Sequence, residues 1–206
     1  MKLKEENQQE KQRKKEEIEI LKTKPSQDPS NIDFIHVDGV MKKINYKNVN
    51  KHNTVSLSQV LENGIWQMEV EFSDAGAIGA IGIVRDTYNI PEGAHPNLLP
   101  HRDHMVSYGM SGYASGKCFH YKGNGISGNI AFSDNQKIKA EFDSVKGTLI
   151  FFVDGVQQPV YILGIKEKVR FITYMGHNGS SCTIRSLKKL TSPTSEHIPN
   201  EKAINW

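Results

Sequence analysis

Cysteine is scarce in this chain, and its scarcity excludes one class of protein. Among 206 residues there are two cysteines, Cys118 and Cys182. Two thiols cannot form the disulfide framework that small secreted domains use to support a limited core. The N-terminus also has no apolar stretch that resembles a signal peptide or a membrane span. We therefore expect a cytoplasmic protein with no membrane partner.

An excess of charge of one sign is also lacking. The formal net charge is +3, from 26 Lys and Arg against 23 Asp and Glu. The first 24 residues hold eight of the basic and six of the acidic residues, which leaves 18 against 17 in the rest of the chain. Because proteins bind nucleic acid through a clear excess of basic side chains, we expect no nucleic-acid partner.

Motifs for catalysis and for cofactors are incomplete. Residues 123–128 satisfy the G-x-G-x-x-G spacing of dinucleotide-binding loops, but the residues that follow do not begin a helix, which the pyrophosphate requires. Residues 112–118 resemble a phosphate-binding loop that is one residue too short. No G-x-S-x-G nucleophile motif is present. We predict that the protein is not an enzyme and has no catalytic residue and no cofactor.

Three histidines lie in one segment and raise the question of a metal. The imidazoles of His95, His101 and His104 are side chains that zinc and copper accept as ligands. Their spacings of six and three residues, with prolines between them, match no established metal-binding pattern. We predict solvated loop histidines and no metal, and metal binding by this loop stays open as the alternative.

The N-terminal segment differs in composition from the rest of the chain. Residues 1–24 are almost entirely Lys, Glu, Gln and Arg, which favour a helix, but they sustain no heptad pattern. We expect a solvated helical or disordered tail. The alternative is the end of a coiled coil through which copies of the chain self-associate. Residues 25–30 contain two prolines and are predicted to be a linker.

From residue 31 the pattern changes to short segments with a period of two. In residues 64–72 a row of apolar side chains alternates with polar ones, which predicts a strand with one face in a core; the row is Trp66, Met68, Val70 and Phe72. In the next predicted strand, residues 78–85, Gly79 and Gly82 indicate close approach of another backbone.

A meander of three strands is predicted over residues 137–160. Ile138, Ala140 and Phe142 alternate with Lys137, Lys139 and Glu141, so we expect the latter three to face water. The apolar run 148–153 predicts a central strand. The Asp154-Gly155 pair that follows is typical of a two-residue hairpin turn.

Part of this meander resembles the most recognisable block of SPRY (B30.2-type) domains. The matching residues are Asp143, Gly147-Thr148-Leu149, Phe151-Phe152 and Asp154-Gly155-Val156. Residues 106–109 are similar to the strand that follows the variable loop in that family. The resemblance implies an all-β fold, an antiparallel two-sheet β-sandwich of concanavalin-like architecture. It covers residues 31–190, and residues 191–206 would form a C-terminal tail.

The resemblance also implies a non-catalytic adaptor that binds a peptide or a folded protein through loops at one end of the sandwich. Residues 86–104 form a long loop without periodicity, and such loops are commonly functional. Tyr and Arg carry much of the binding energy of interfaces. The predicted partner-binding residues are Arg85, Tyr88, His95, Arg102, Tyr108, His177 and Asn178. The alternative is an intracellular carbohydrate-binding sandwich, against which the lack of an Asp/Asn calcium cluster counts.

Overall fold

The structure is a computed structural model that describes residues 31–37, 41–47, 51–113 and 117–206. The predicted tail, residues 1–24, and the linker, residues 25–30, lie outside the described residues. In the described part of the chain there is no α-helix, and His101–Asp103 forms a single 3₁₀ turn. The all-β prediction is confirmed.

Fifteen strands are present among the described residues. They are β1 (Ile32–Val37), β2 (Met41–Tyr46), β3 (Asn53–Ser56), β4 (Ile65–Ser73), β5 (Gly79–Arg85), β6 (Met105–Gly109), β7 (Phe119–Tyr121), β8 (Asn124–Ile126), β9 (Ile138–Asp143), β10 (Thr148–Val153), β11 (Val156–Gln157), β12 (Val160–Leu163), β13 (Val169–Met175), β14 (Ser181–Leu190) and β15 (Lys202–Asn205).

The strands form two sheets. The larger sheet has nine strands in the order β1-β2-β14-β4-β9-β10-β12-β15, with β11 paired to β10. The smaller sheet has six strands in the order β3-β13-β5-β6-β7-β8. All pairings are antiparallel except that of β12 with β15, which is parallel. This arrangement is the antiparallel two-sheet sandwich that the sequence predicts.

The core lies between the two sheets and is built by the alternating rows. The apolar residues of β4 are buried together with the inward row of the small sheet; this cluster includes Trp66, Met68, Val70, Phe72, Ile81, Ile83 and Val106. The predicted inward row of β4 is therefore confirmed. Gly82 lies where a Cβ would be 1.9 Å from the carbonyl oxygen of Val106, which confirms the predicted close backbone approach.

The turn between β10 and β11 has the predicted chemistry. Asp154 and Gly155 have φ angles of 48° and 85°, so both occupy the left-handed region that a two-residue hairpin of this kind requires. Strand β10 lies between β9 on one side and β11 and β12 on the other, as expected of a central strand.

The larger sheet extends beyond residue 190. Residues 191–201, here called the C-terminal strap, cross the outer face of this sheet and lead into β15. The strap covers Glu141, which is 2% exposed, so the expectation that Glu141 faces water was wrong. Its carboxylate accepts hydrogen bonds from the backbone N–H groups of Thr194 and Ser195, at 3.0 Å each.

Candidate functional site

Residues 86–104 are here called the recognition loop because the sequence predicts that they bind a partner. They fold against the outer face of the six-stranded sheet. Ile90 and Ala94 are buried in an apolar cluster with Val84, Met105 and Ile172 of that sheet. The backbone oxygen of Ala94 also accepts a hydrogen bond of 2.7 Å from Thr54 Oγ1 on β3. The loop lacks regular periodicity, yet these contacts fix its middle to the scaffold.

A buried arginine fixes the start of the loop. Arg170 on β13 is 1% exposed and its Nε lies 3.0 Å from Asp86 Oδ1. Its Nη2 donates to the backbone oxygen of Tyr88 at 2.7 Å, and its Nη1 donates to Ser56 Oγ. Burial lowers the pKa of Arg170, and the Asp86 carboxylate opposes that shift. A guanidinium is planar and presents several N–H donors in fixed directions, so a single arginine can hold one segment of backbone in place.

Tyr88 organises the end of the loop. Its ring stacks on that of His104, with centroids 4.1 Å apart and planes 11° from parallel. Its hydroxyl is hydrogen-bonded to His101 Nδ1 at 2.7 Å. Burial lowers the pKa of His101, and neighbouring His104 lowers it further. Both histidines therefore serve in the internal packing of the loop.

His95 docks the middle of the loop on a different set of rings. It stacks on Tyr113 with centroids 5.7 Å apart and meets His52 edge to face at 4.6 Å. His52 Nδ1 is in turn hydrogen-bonded to the Tyr174 hydroxyl at 2.8 Å. Burial, with the nearby His52, His120 and His101, lowers the pKa of His95 to about 4. The ring is neutral at physiological pH.

The loop histidines are thus divided between two sets of rings. His95 packs on Tyr113, whereas His101 and His104 pack on Tyr88. Within the described ranges, no group of three or more His, Cys, Asp and Glu side chains is placed to hold a metal ion.

Two predicted arginines lie on the rim of the sandwich beside this loop. Arg85 Nη1 pairs with Glu167 at 3.2 Å, and its guanidinium lies 5.3 Å from the ring centroid of Trp206. Arg102 lies over the β7–β8 turn, where a Cβ on Gly123 would be 2.6 Å from its Nη1. The absence of a side chain at Gly123 therefore makes room for the Arg102 guanidinium.

Tyr108 is not on the surface. It is 0% exposed, its ring packs on Phe132 and Phe151 in the core, and its hydroxyl donates to the backbone oxygen of Ile130. Strand alternation explains the difference, because the neighbouring Ser107 faces the loop and donates to Asn97 Oδ1 at 3.0 Å. Tyr108 offers no area to a partner.

His177 and Asn178 are exposed but lie at a distance from the arginines. Their turn follows Met175, which pairs with Gly79 at the start of β5, whereas Arg85 is at the end of β5. Seven residues of strand span about 20 Å. The structure therefore brings Arg85, Tyr88 and Arg102 to one end of the small sheet and leaves His177 and Asn178 at the other.

The sequence reasoning missed two residues of the recognition loop. Leu98 and Leu99 are 54% and 61% exposed and lie within one turn of His101 and Arg102, whose N–H donates to Leu98 O at 2.9 Å. Exposed large apolar side chains beside a cation are typical of binding surfaces. The signal in the sequence is the Leu-Leu pair in an otherwise polar segment.

Comparison with known proteins shows a likeness in structure alone. No protein-family model matches the chain, and no curated protein matches it. The SPRY domain of human HERC1 superposes with a TM-score of 0.55 at 11% identity, covering 81% of this chain and 99% of that one. The TRIM65 PSpry domain gives 0.54 at 14% identity, covering 80% of this chain and 90% of that one.

Stonustoxin is also similar, with a TM-score of 0.56 at 14% identity. The match covers 82% of this chain and 27% of stonustoxin, so this chain resembles about a quarter of that larger protein. These likenesses define the class of the molecule as a two-sheet β-sandwich. More particularly, the chain has the fold of SPRY domains, as the resemblance of residues 143–156 implies.

Proposed function

We propose that this protein is a non-catalytic interaction module, an adaptor that binds a peptide or a folded protein through its recognition loop. The observation that carries the proposal is the loop itself. Its start and its middle are fixed by Arg170 and His95, while Leu98 and Leu99 project into solvent. The likeness to SPRY domains supports the same conclusion at the level of the fold.

Fixing a loop before binding favours affinity. A mobile loop would lose conformational entropy when a partner ordered it, and that loss would weaken the complex. Here the buried Arg170–Asp86 pair, the Thr54–Ala94 hydrogen bond and the Tyr88–His104 stack hold the loop without a partner. An ordered display of exposed leucines would bind a partner with little further ordering.

The chemistry of the exposed groups indicates the partner. Leu98 and Leu99 are suited to an apolar side chain. Arg102 is partly exposed, and Lys122 is exposed on the turn beneath it. A peptide or protein surface with an apolar residue next to carboxylates would complement both features. We place this interaction in the cytoplasm, which is supported by two cysteines that are free and buried.

The test is affinity capture with purified full-length protein as bait. Replacing Leu98 and Leu99 together by serine should reduce partner capture at least tenfold, because exposed anchors of this kind carry about 1–2 kcal/mol each. The melting temperature should stay within about 2 °C of the wild type, since neither side chain belongs to the core.

Val145→Ser is the matched control. Val145 is 87% exposed in the β9–β10 turn, and its replacement removes exposed apolar surface outside the recognition loop. Capture should be unchanged in this variant. Capture that survives the double leucine replacement, or that is lost equally in Val145→Ser, would show that the loop is not the recognition surface.

A further inference from the structure

A second concave site lies on the outer face of the nine-stranded sheet, on the opposite side of the sandwich from the recognition loop. It is a groove of about 360 Å³, and its floor is formed by Ile150, Tyr161 and Leu163 of β10 and β12. One wall is the C-terminal strap, which contributes residues 195–197 and Glu201. This volume is at the lower end of the range of sites that hold small ligands or parts of peptides.

A buried carboxylate holds the strap that forms this wall. Glu141 pairs with Ile150 across β9 and β10, so it lies directly beside the groove floor. It accepts hydrogen bonds from Thr194 N, Thr194 Oγ1 and Ser195 N. Burial raises the pKa of Glu141, but these hydrogen bonds outweigh burial and leave the pKa below its ordinary value. The carboxylate is therefore charged and holds the strap tightly.

Two further contacts fix the wall. Gln157 and Glu196 exchange hydrogen bonds, from Gln157 Nε2 to Glu196 O at 2.7 Å and from Glu196 N to Gln157 Oε1 at 3.0 Å. Glu201 Oε1 lies 2.9 Å from His197 Nδ1. The groove is thus shaped in advance at three separate points along the strap.

The groove has a basic end and an acidic end. Strand register places Thr148 beside Leu163 at one end, where Lys146 lines the groove, and places Gln157 beside Phe152 at the other, where Glu196 lies. Four residues of strand separate the two ends, which corresponds to about 13 Å. The apolar floor at Ile150 and Tyr161 lies between them.

Three polar groups that line the groove have no protein partner among the described residues. The Lys146 ammonium, the Glu196 carboxylate and the Tyr161 hydroxyl have no hydrogen bond or ion pair to any residue within the described ranges. Opposite charges at the two ends of an apolar floor favour a ligand with complementary charges at a similar spacing.

We propose that this groove binds an extended peptide segment of a partner protein, with an acidic residue, an apolar residue and a basic residue at alternate positions. In an extended chain, side chains at positions i, i+2 and i+4 point to one side and span about 13 Å. The acidic side chain meets Lys146, the apolar side chain rests on Ile150 and Tyr161, and the basic side chain meets Glu196. Either chain direction satisfies this pattern.

The test uses capped synthetic peptides and the full chain labelled with ¹⁵N. The first peptide contains Asp-Ser-Leu-Ser-Arg, and its titration should shift the amide signals of Ile150, Leu163 and His197 and leave those of residues 86–104 in place. Replacing the central Leu by Ser should weaken binding about tenfold, because the apolar floor then stays hydrated. Peptides with two basic or two acidic ends should each bind about two- to fivefold more weakly than the first.

Charge reversal in the protein provides the matched control. Lys146→Glu should reverse the order and favour the peptide with two basic ends, and Glu196→Lys should favour the one with two acidic ends. Both residues are exposed, so both variants should fold as the wild type does. Shifts confined to the recognition loop, no saturable shifts with any peptide, or an unchanged peptide preference in both variants would each overturn the proposal. None of these outcomes bears on capture through Leu98 and Leu99.

Discussion

At the scale of single residues, Arg170 holds the start of the recognition loop. It is 1% exposed, and it contacts Asp86 and Tyr88 at the start of the loop and Ser56 on β3. A buried guanidinium is unfavourable unless its donors are paired. Its presence under a surface loop therefore indicates that the position of the loop backbone depends on it.

We expect Arg170→Met to lower the free energy of unfolding by about 3 kcal/mol, because Asp86 and the Tyr88 carbonyl would lose their buried partner. Chemical denaturation measures this change. Partner capture should fall in the same variant at temperatures where the protein remains folded, because the loop is no longer held.

Arg185→Met is the control for this substitution. Arg185 pairs with Glu69 and Glu71 at 3.6 and 3.0 Å, but its side chain is 34% exposed. Because exposed ion pairs contribute little to stability, Arg185→Met should lower the free energy of unfolding by about 1 kcal/mol or less. Equal losses in the two variants would contradict the role assigned to Arg170.

At the scale of elements, the recognition loop is docked by neutral imidazoles. His95 faces His52, His120, Tyr113 and Tyr174, so it has neighbours that can become positive and no carboxylate partner among the groups that shift its pKa. Burial likewise lowers the pKa of His52. Protonation of this cluster would place like charges together beneath the loop.

Stability should therefore decrease in mild acid. Burial lowers the pKa of His95 from 6.5 to about 4, so the folded state binds fewer protons than the unfolded state in that interval. The contribution of neutral His95 to the free energy of unfolding is complete above pH 6.5 and is lost as the pH falls toward 4. Melting temperatures measured across this interval should fall less steeply for His95→Gln than for the wild type.

His177→Gln serves as the control for this pH dependence. His177 is exposed and lies at the other end of the small sheet, so its replacement should leave the pH profile of the wild type unchanged. If His95→Gln keeps the full acid sensitivity of the wild type, protonation of His95 and its neighbouring rings is not the source of that sensitivity.

At the scale of the whole molecule, the sandwich is closed by elements distant in sequence. The C-terminal Trp206 stacks on Tyr121 of β7 with centroids 5.3 Å apart, and its Nε1 donates to Glu167 Oε1 at 2.6 Å. Arg85 lies over the same indole. These contacts join the end of the larger sheet to the rim of the smaller one.

Removing residues 1–24 should leave the melting temperature and the oligomeric state unchanged. This follows from the prediction that the segment is a solvated tail, since its sequence sustains no apolar stripe that could bind the sandwich or a second helix. Sedimentation of the full chain and of the shortened chain measures the oligomeric state, and thermal unfolding of both measures the melting temperature. A dimer that becomes a monomer on truncation would support the coiled-coil alternative instead.

The sequence by itself determined the features that depend on neighbouring residues. The alternation of Trp66, Met68, Val70 and Phe72 specified which face of β4 is buried, and Asp154-Gly155 specified a hairpin, because side-chain period and turn conformation are local properties. The two-sheet sandwich was implied by the resemblance of residues 143–156 to SPRY domains.

Only the tertiary structure decided what covers each face. Glu141 alternates as a water-facing residue should, yet a strap more than fifty residues later in the chain buries it. Tyr108 follows a long loop but points into the core, and Leu98 and Leu99 remain outside. His177 and Arg85 lie at opposite ends of the small sheet because β13 and β5 are antiparallel. Local periodicity fixes the face on which a side chain lies, but which distant segment packs on that face depends on contacts between residues far apart in the sequence.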